Sequence, residues 1–329
     1  QALASVVVDT TVQEKAIAHP TDAKLLETAR DKLVQAAKEA GIALKQTFAK
    51  EGRQLRFKAG RYAHAKQFKR LGRVLKRQST VVQRLAREIE RKAIAACGAI
   101  SQSLSQTLSK ARRIALQSRS RKNTGGTPKL YSWHAPEVEC IAKGKSKTPY
   151  EFGVKVGIAM TLQHNLIVGA RTFTGKPYDG HTLREQLEQA SILMQDTGMK
   201  PTTAYVDLGY RGVDADNPGV RIVHRGKSKT LSAQERKLLK RRQAIEPILG
   251  HLKADHRLDR CHLKGELGDS LHAVLCAAGY NLRWLLRMMA KKGVAFLWGL
   301  FWRLCKSAQL QANAPQMLHA ALAGMSRTP

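Results

Sequence analysis

Three acidic residues stand where a metal-dependent phosphoryl transfer would need them. Asp9 and Asp207 each end a short strand-like segment, and Glu246 lies in a later segment with a helical pattern. An aspartate at the end of a strand is usually a turn former, so each acid alone is weak evidence. Neighbouring strands can bring two carboxylates together, and a helix packed beside them can supply a third. A pair of Mg²⁺ ions about 3.5–4 Å apart would relieve their repulsion and clamp the oxygens of an in-line displacement.

The surroundings of Glu246 are strongly cationic. In the stretch RRQAIEPILGHLKADHR (241–257), a helix would place Arg242 one turn before Glu246 and Lys253 two turns after it on the same face. One interpretation is a solvated helix with intrahelical ion pairs. The other is that Glu246 holds metal while the cations hold phosphates and orient the acid. Pro247 predicts a kink just after Glu246, because proline removes one backbone hydrogen bond.

The charge of the whole chain indicates a polyanionic partner. The 329 residues include 57 lysines and arginines against 25 aspartates and glutamates, for a formal net charge of +32 at pH 7. Nucleic acid is the first candidate and an anionic membrane surface the second. The longest wholly apolar run, residues 293–302, is far shorter than the ~20 residues of a membrane-spanning helix. Five scattered cysteines without a Cys-x-x-Cys pair favour reduced thiols and a cytoplasmic location.

The basic residues are concentrated in a helical part of the chain. From about residue 23 to 121 the pattern predicts helix almost throughout, and apolar residues at heptad spacing around Gln78 predict an antiparallel arm. These apolar residues are Phe68, Leu71, Leu75, Val82, Leu85 and Ile89. Residues 45–122 hold 22 lysines and arginines against three glutamates. A solvated coiled-coil surface normally mixes both signs, so this density favours a phosphate-binding arm.

Outside the arm, the pattern alternates between strands and helices. The predicted strands cover residues 4–12, 151–161, 165–175, 202–207 and 219–225. Residues 179–198 predict an amphipathic helix, with Asp179 assigned to its cap and Thr182-x-x-Glu185 to a capping box. Helix dominates again from Leu231 onward, and the composition of residues 121–129 predicts a linker.

Around Glu246 the sequence resembles the DDE transposases of bacterial insertion sequences, specifically the insertion-sequence-five group. Their hallmark is an Arg, three residues, a Glu, six residues and a Lys, with a Tyr three positions before the Arg. Arg242, Glu246 and Lys253 match this spacing, whereas Leu239 stands at the Tyr position. Further matches are WHAPEVECIAKGK (133–145), PYEFGVKV (149–156), GKPYDGHTL (175–183), VDLGYRG (206–212) and the run from AIEPILGHLK to the end of NLRWLL.

This resemblance implies a ribonuclease-H-like catalytic core in which Asp9, Asp207 and Glu246 form the metal-binding triad. It implies Mg²⁺, with Mn²⁺ as a substitute, and double-stranded DNA substrates comprising the terminal inverted repeats of the element and the target. A freed 3′-hydroxyl would carry out strand transfer without a covalent protein–DNA intermediate. A homodimer in the synaptic complex and association with the nucleoid are also implied.

Four cations are the predicted DNA contacts. Arg242 and Lys253 flank the acid of the family motif, while Arg211 and Lys227 are predicted phosphate contacts for which a simple surface role is equally open. Members of the family usually carry a helical DNA-binding region before the first aspartate. Its absence predicts that this chain is N-terminally truncated or partial.

The predicted fold is α/β: a ribonuclease-H-like mixed sheet with flanking helices, interrupted by a large all-helical basic insertion after the first strand. Residues 1–22 would hold the first strand of the core and 23–128 the insertion. Residues 129–264 would complete the core, and 265–329 would form a helical extension.

Three alternatives accompany this prediction. A decayed transposase would keep the basic arm as a catalytically inactive DNA-binding remnant. A nuclease of the same fold would cut DNA without joining it. An esterase built on GDSL (268–271) is disfavoured, because no strand precedes this motif and no Asp-x-x-His follows it.

Overall fold

A computed structural model of the protein describes residues 4–97, 99–119, 128–142, 149–227 and 229–293. Its strands are β1 (Ser5–Glu14), β2 (Glu139–Ala142), β3 (Tyr150–Thr161), β4 (Ile167–Phe173), β5 (Thr203–Tyr205) and β6 (Arg221–Val223). Its helices are α1 (Asp22–Glu39), α2 (Ala49–His64), α3 (Phe68–Cys97), α4 (Gln102–Gln117), α5 (Asp179–Met194), α6 (Ala233–Arg241), α7 (Ile245–Ala254) and α8 (Gly265–Lys292). Most of the predicted linker, and the apolar run beyond Gly293, lie outside the described residues.

The six strands form one mixed sheet. Strand β1 pairs antiparallel with β3 and parallel with β5, which in turn pairs parallel with β6. Strands β2 and β4 both pair with β3 on its other side, β2 near its beginning and β4 further along. The mixed sheet and the mostly helical region between β1 and β2 fit the predicted architecture, although β2 itself was not predicted.

Both faces of the central strand are covered. Val6 and Val8 of β1 belong to a core formed with α5, whereas Val7 belongs to a separate core formed with α7 and α8. Side chains alternate between the two faces of a strand, so a run of valines buries itself on both sides. This arrangement holds β1 rigidly across the middle of the sheet.

The helical region after β1 has a core of its own. Helices α1, α3 and α4 pack together around Leu26, Leu33, Leu85 and Ile114, and α2 packs against α3. The predicted heptad positions are buried in the second half of α3, but Phe68 at its first residue is 68% exposed. The predicted antiparallel arm is therefore a group of four helices, and its buried apolar seam does not extend to Phe68.

The helical region between β1 and β2 leaves and re-enters the sheet beside one residue of β3, Gly153. Glu14, the last residue of β1, and Glu139, the first residue of β2, lie opposite Gly153 on its two sides. A Cβ at Gly153 would meet the carbonyl oxygen of Gln13 at 1.8 Å, so this close pairing requires glycine. Strand β3 thus crosses between the departure and the return of the chain.

A buried ion cluster fastens the end of β1. The Lys15 cluster consists of Lys15, Glu137 and Asp269, with Lys15 Nζ lying 2.8 Å from Glu137 and 2.7 Å from Asp269. The amide of Gln13 adds a hydrogen bond of 3.0 Å to the carbonyl oxygen of Asp269. Because Asp269 lies within α8, the GDSL sequence (268–271) is part of a helix, as expected, and this cluster attaches that helix to the sheet.

Two local predictions were wrong. Strand β1 does not end at Asp9 but continues to Glu14, because its later residues still pair with β3. Helix α5 begins at Asp179, before the predicted capping box, and the Thr182 hydroxyl donates to the Asp179 carbonyl from inside the helix. Across the described ranges, no helix has both the length and the apolar character that crossing a bilayer requires.

Candidate active site

The register of the sheet brings the first two predicted acids together. In the parallel ladder between β1 and β5, Val7 lies opposite Tyr205. Two residues further along each segment stand Asp9 and Asp207, on the same face as Val7 and Tyr205 because side chains alternate. Strand β5 ends at Tyr205, so Asp207 lies at the start of the turn that follows it.

A single guanidinium lies between these two carboxylates. Arg242 Nη1 is 3.4 Å from Asp9 Oδ2, and Arg242 Nη2 is 3.6 Å from Asp207 Oδ1. The Arg242 side chain is buried, whereas that of Asp207 is 55% exposed. Asp9, Asp207 and Arg242, here called the Arg242 cluster, therefore form a loose ion triad that opens to solvent on the Asp207 side.

The electrostatics of Asp9 favour an additional cation. Burial raises the pKa of this carboxyl, and the negative charges of Asp207 and Asp179 raise it further. The backbone amide of Thr10, which donates to Asp9 Oδ1 at 2.8 Å, and the charge of Arg242 act in the opposite direction without cancelling the rise. The carboxylate of Asp9 is thus under-compensated, a condition that a bound divalent ion would relieve.

Asp179 is a neighbour of this site that the sequence interpretation assigned only to helix capping. Its Oδ1 accepts hydrogen bonds of 2.8 Å from Thr10 Oγ1 and Lys155 Nζ. A Cβ at Gly209 would lie 3.2 Å from Asp179 Oδ2, so the start of α5 packs on the turn after Asp207. The available signal was its place in the GKPYDGHTL motif, for which capping was a sufficient explanation.

The helix around Glu246 is interrupted before this residue, whereas the kink was predicted just after it. Helix α6 ends at Arg241, residues Arg242–Ala244 form one turn of 3₁₀ helix, and α7 starts just before Glu246. Pro247 lies in the first turn of α7, and because proline has no N–H to donate to the carbonyl four residues earlier, its effect falls on the preceding turn, which is the 3₁₀ segment. Glu246 is exposed beside the buried Ile245, which anchors α7 in the core.

The other predicted DNA contacts are partly engaged with acids of the chain. Lys253 Nζ lies 3.6 Å from Glu151 Oε2. Lys227 pairs with Asp214 and also donates to a backbone carbonyl at 3.0 Å. Arg211 is exposed in the loop that follows Asp207.

The donor set fits a hard divalent cation in part. Mg²⁺ is typically held by one or two protein carboxylates, with water and substrate phosphate completing the octahedron. Asp9 on β1 and Asp207 in the turn that follows the adjacent β5 supply two such carboxylates. Among the described residues, no group of three or more His, Cys, Asp or Glu side chains is arranged to hold a metal ion. The participation of Glu246 as a third ligand therefore stays a prediction.

Comparison with known proteins identifies similarity over part of the chain. Residues 123–282, just under half of the sequence, match the model of a family described as "Transposase DDE domain". The matched region contains Asp207, Glu246 and the four predicted DNA contacts, whereas Asp9 lies before it. This similarity supports a DDE transposase, and thereby transposition and recombination of DNA, while the insertion-sequence-five group stays a prediction.

A shorter stretch resembles a curated protein. Over 68 residues the chain is 50% identical to "Uncharacterized protein ORF8 in nfe locus" of Rhizobium meliloti, an alignment that covers 21% of this chain. The chain spans about one third (33%) of the length of that relative. No solved structure matches the chain significantly.

Proposed function

We propose that this protein is a transposase that cleaves DNA at the ends of an insertion sequence and transfers the freed strands into target DNA. Asp9, Asp207 and Glu246 would hold the divalent ions. The observation that carries this proposal is the meeting of Asp9 and Asp207, which are far apart in the sequence, on one buried guanidinium. The similarity of residues 123–282 to a transposase domain supports the same conclusion.

The two aspartates would play different parts in holding the ion. Asp9 belongs to a strand buried on both faces and provides a fixed ligand, whereas Asp207 starts a turn and can adjust as substrate arrives. Glu246 would add a carboxylate from the exposed first turn of α7. Mg²⁺, or Mn²⁺ in its place, would activate the attacking water or 3′-hydroxyl and stabilise charge on the scissile phosphate.

The cations around the acids would position the DNA. Arg242 compensates the charge of the two aspartates in the free protein, and a phosphate of the bound strand would replace them as its ion-pair partner. Arg211, Lys227 and Lys253 would contact the backbone, with the two lysines exchanging or sharing their present acidic partners. Synapsis of two element ends would use two copies of the chain, as a homodimer.

The test is nicking of a labelled DNA that carries one end of the element. We expect Mg²⁺-dependent nicking by the unaltered chain and a loss of about 10³-fold or more in Asp207→Asn, the scale seen when a member of a catalytic group is removed. Asp216→Asn is the matched control, because it removes another exposed aspartate outside the Arg242 cluster. Equal nicking by Asp207→Asn and the unaltered chain would reject the metal assignment.

A second candidate is a catalytically inactive DNA-binding remnant. The observation that favours it is that no three-acid metal group is formed among the described residues. Such a remnant would retain DNA affinity but show no nicking with either Mg²⁺ or Mn²⁺. If nicking occurs, a strand-transfer assay then separates the transposase from a nuclease that does not join.

A further inference from the structure

A cleft opens in the helical region, away from the Arg242 cluster. It has a volume of about 980 Å³ and lies between the start of α1, helix α2 and the first part of α3. Leu71 and Leu75 provide apolar lining, while Arg53, Arg56 and Arg61 line it with charge. The cleft therefore combines an apolar surface with a cluster of guanidinium groups.

An exposed aromatic ring also lines the cleft. Phe57 is 67% exposed, and it shares its face of α2 with Arg53 one turn before and Arg61 one turn after. The guanidinium carbon of Arg61 lies 5.9 Å from the centre of the Phe57 ring. Gly60 has no atom within 4 Å of the place where a Cβ would stand, so the space beside the ring is open. A large ring left in water at this place is a surface for a stacking partner.

The charge of this surface is not neutralised within the described part of the chain. The nearby Glu51 pairs with Arg77, and none of the ion pairs found there involves Arg53, Arg56 or Arg61. Asp22, at the first turn of α1, is an acid that lines the cleft. Three arginines with no acidic partner among the described residues lie beside an exposed ring that Arg61 approaches, and this combination matches a ligand that carries both phosphate and a flat base.

We propose that this cleft binds an unstacked nucleotide of DNA. The base stacks on Phe57 against the apolar lining, and the flanking phosphates contact Arg53, Arg56 and Arg61. Stacking on an aromatic ring is tolerant of sequence because every base has a π face. The site therefore favours single-stranded or locally unpaired DNA over intact duplex. This proposal is independent of the catalytic proposal, because it requires neither divalent ions nor Asp207.

Binding of a fluorescent single strand of about 12 nucleotides, followed by anisotropy in EDTA, tests the ring. We expect Phe57→Ala to weaken this binding by about 10-fold, in the range of one lost base–aromatic stack. The dependence of affinity on salt should stay unchanged, because no phosphate contact is removed. The matched control is Phe68→Ala, since Phe68 is equally exposed (68%) but does not line the cleft. This control should bind like the unaltered chain.

A charge variant separates the two parts of the site. The double change Arg53→Gln and Arg56→Gln should weaken binding of both single strand and duplex and make the affinity less dependent on salt. Crosslinking through 5-iodouracil should attach the strand to α2. All of these side chains are exposed, so circular dichroism should show unchanged folding.

Three outcomes would overturn the proposal. One is unaltered affinity in Phe57→Ala, and another is an equal loss in Phe68→Ala. The third is a crosslink that maps outside α2. Failure of the catalytic proposal has a different signature, because Asp207→Asn would then nick DNA like the unaltered chain whatever the result for Phe57.

Discussion

The Lys15 cluster and the Arg242 cluster both place one cation between two carboxylates beside strand β1. In the Lys15 cluster the contacts are 2.7 and 2.8 Å, and the three side chains are between 4% and 9% exposed. In the Arg242 cluster the contacts are 3.4 and 3.6 Å, and Asp207 is largely exposed. The same charge pattern is thus buried in the Lys15 cluster and open to solvent in the Arg242 cluster.

The two clusters differ in contact length and in exposure to solvent, and these two properties determine how strongly each one holds its partners together. Forming a buried ion pair with short contacts has a large desolvation cost but fixes the geometry of the two groups. Removing one partner leaves the other charge buried without compensation. A long contact at the edge of solvent is weaker and exchangeable. Lys15 therefore joins the end of β1 to α8 through short buried contacts, whereas the contacts of Arg242 are longer and open to solvent at Asp207.

The largest expected effect is on stability, in Lys15→Met. Leaving Glu137 and Asp269 buried without their cation should cost about 3–5 kcal/mol, measured by urea unfolding at pH 7. Arg242→Met should cost less, because Asp207 is solvated and only Asp9 is left with little access to water and without this cation. A loss in Arg242→Met as large as that in Lys15→Met would remove the distinction between the clusters.

The Lys15 contribution has a defined dependence on pH. Burial lowers the pKa of Lys15, but its hydrogen bonds to Asp269 and Glu137 outweigh burial, and the pKa is raised. A raised lysine pKa means that the stabilisation is fully present below the ordinary value of 10.5 and is lost as pH rises through the folded value. The stability difference between the unaltered chain and Lys15→Met should therefore shrink in strongly alkaline solution. It should also shrink in acid: burial acts to raise the pKa of Glu137, but the hydrogen bond from Lys15 and other contacts lower it overall, so this contribution is lost as pH falls through the folded value.

A smaller effect is expected from divalent ions. A ligand at about ten times its dissociation constant stabilises the folded state by about 1.4 kcal/mol. Mn²⁺ at such a concentration should raise the melting temperature of the unaltered chain and of Asp216→Asn, measured by thermal unfolding. It should not do so in Asp207→Asn. An equal rise in Asp207→Asn would place the ion elsewhere.

The smallest expected effect is a gain in Asp9→Asn. Burial, with Asp207 and Asp179, raises the pKa of Asp9, so keeping it ionised costs folding free energy as pH rises through its folded pKa. Without metal, the asparagine variant should melt about 2 °C higher at pH 7, in keeping with a change of less than ~1 kcal/mol. The gain should fade as the pH falls toward the ordinary aspartate value of 3.8. A lower melting temperature for Asp9→Asn at pH 7 would contradict this.

The sequence predicts the parts of the site that depend on local pattern. The strands that present Asp9 and Asp207 are visible as β-branched runs, and the spacing of Arg242 from Glu246 is visible in the family motif. Their meeting follows from the parallel register of β1 and β5, which the strand pattern alone does not specify.

The missed features depend on contacts between distant segments. Glu137 and Asp269 look like ordinary surface acids until β1 and α8 bring Lys15 between them. Heptad spacing likewise places Phe68 in phase with the apolar residues of α3, but it does not show that burial stops short of this first residue of the helix. Strand β2 has only four residues, too few for a clear alternation.

The pairing of Gly153 with both Glu14 and Glu139 has a consequence for how this architecture can change. Because the chain departs and returns on either side of one residue, the two junctions are about 10 Å apart, twice the usual spacing between strands. The helices between residues 22 and 117 can then be gained, lost or exchanged while Lys15 and Glu137 stay in place and the ladder that carries Asp9 keeps its register. The helical region can therefore diversify in sequence and size without altering the pairing of the strand that carries Asp9.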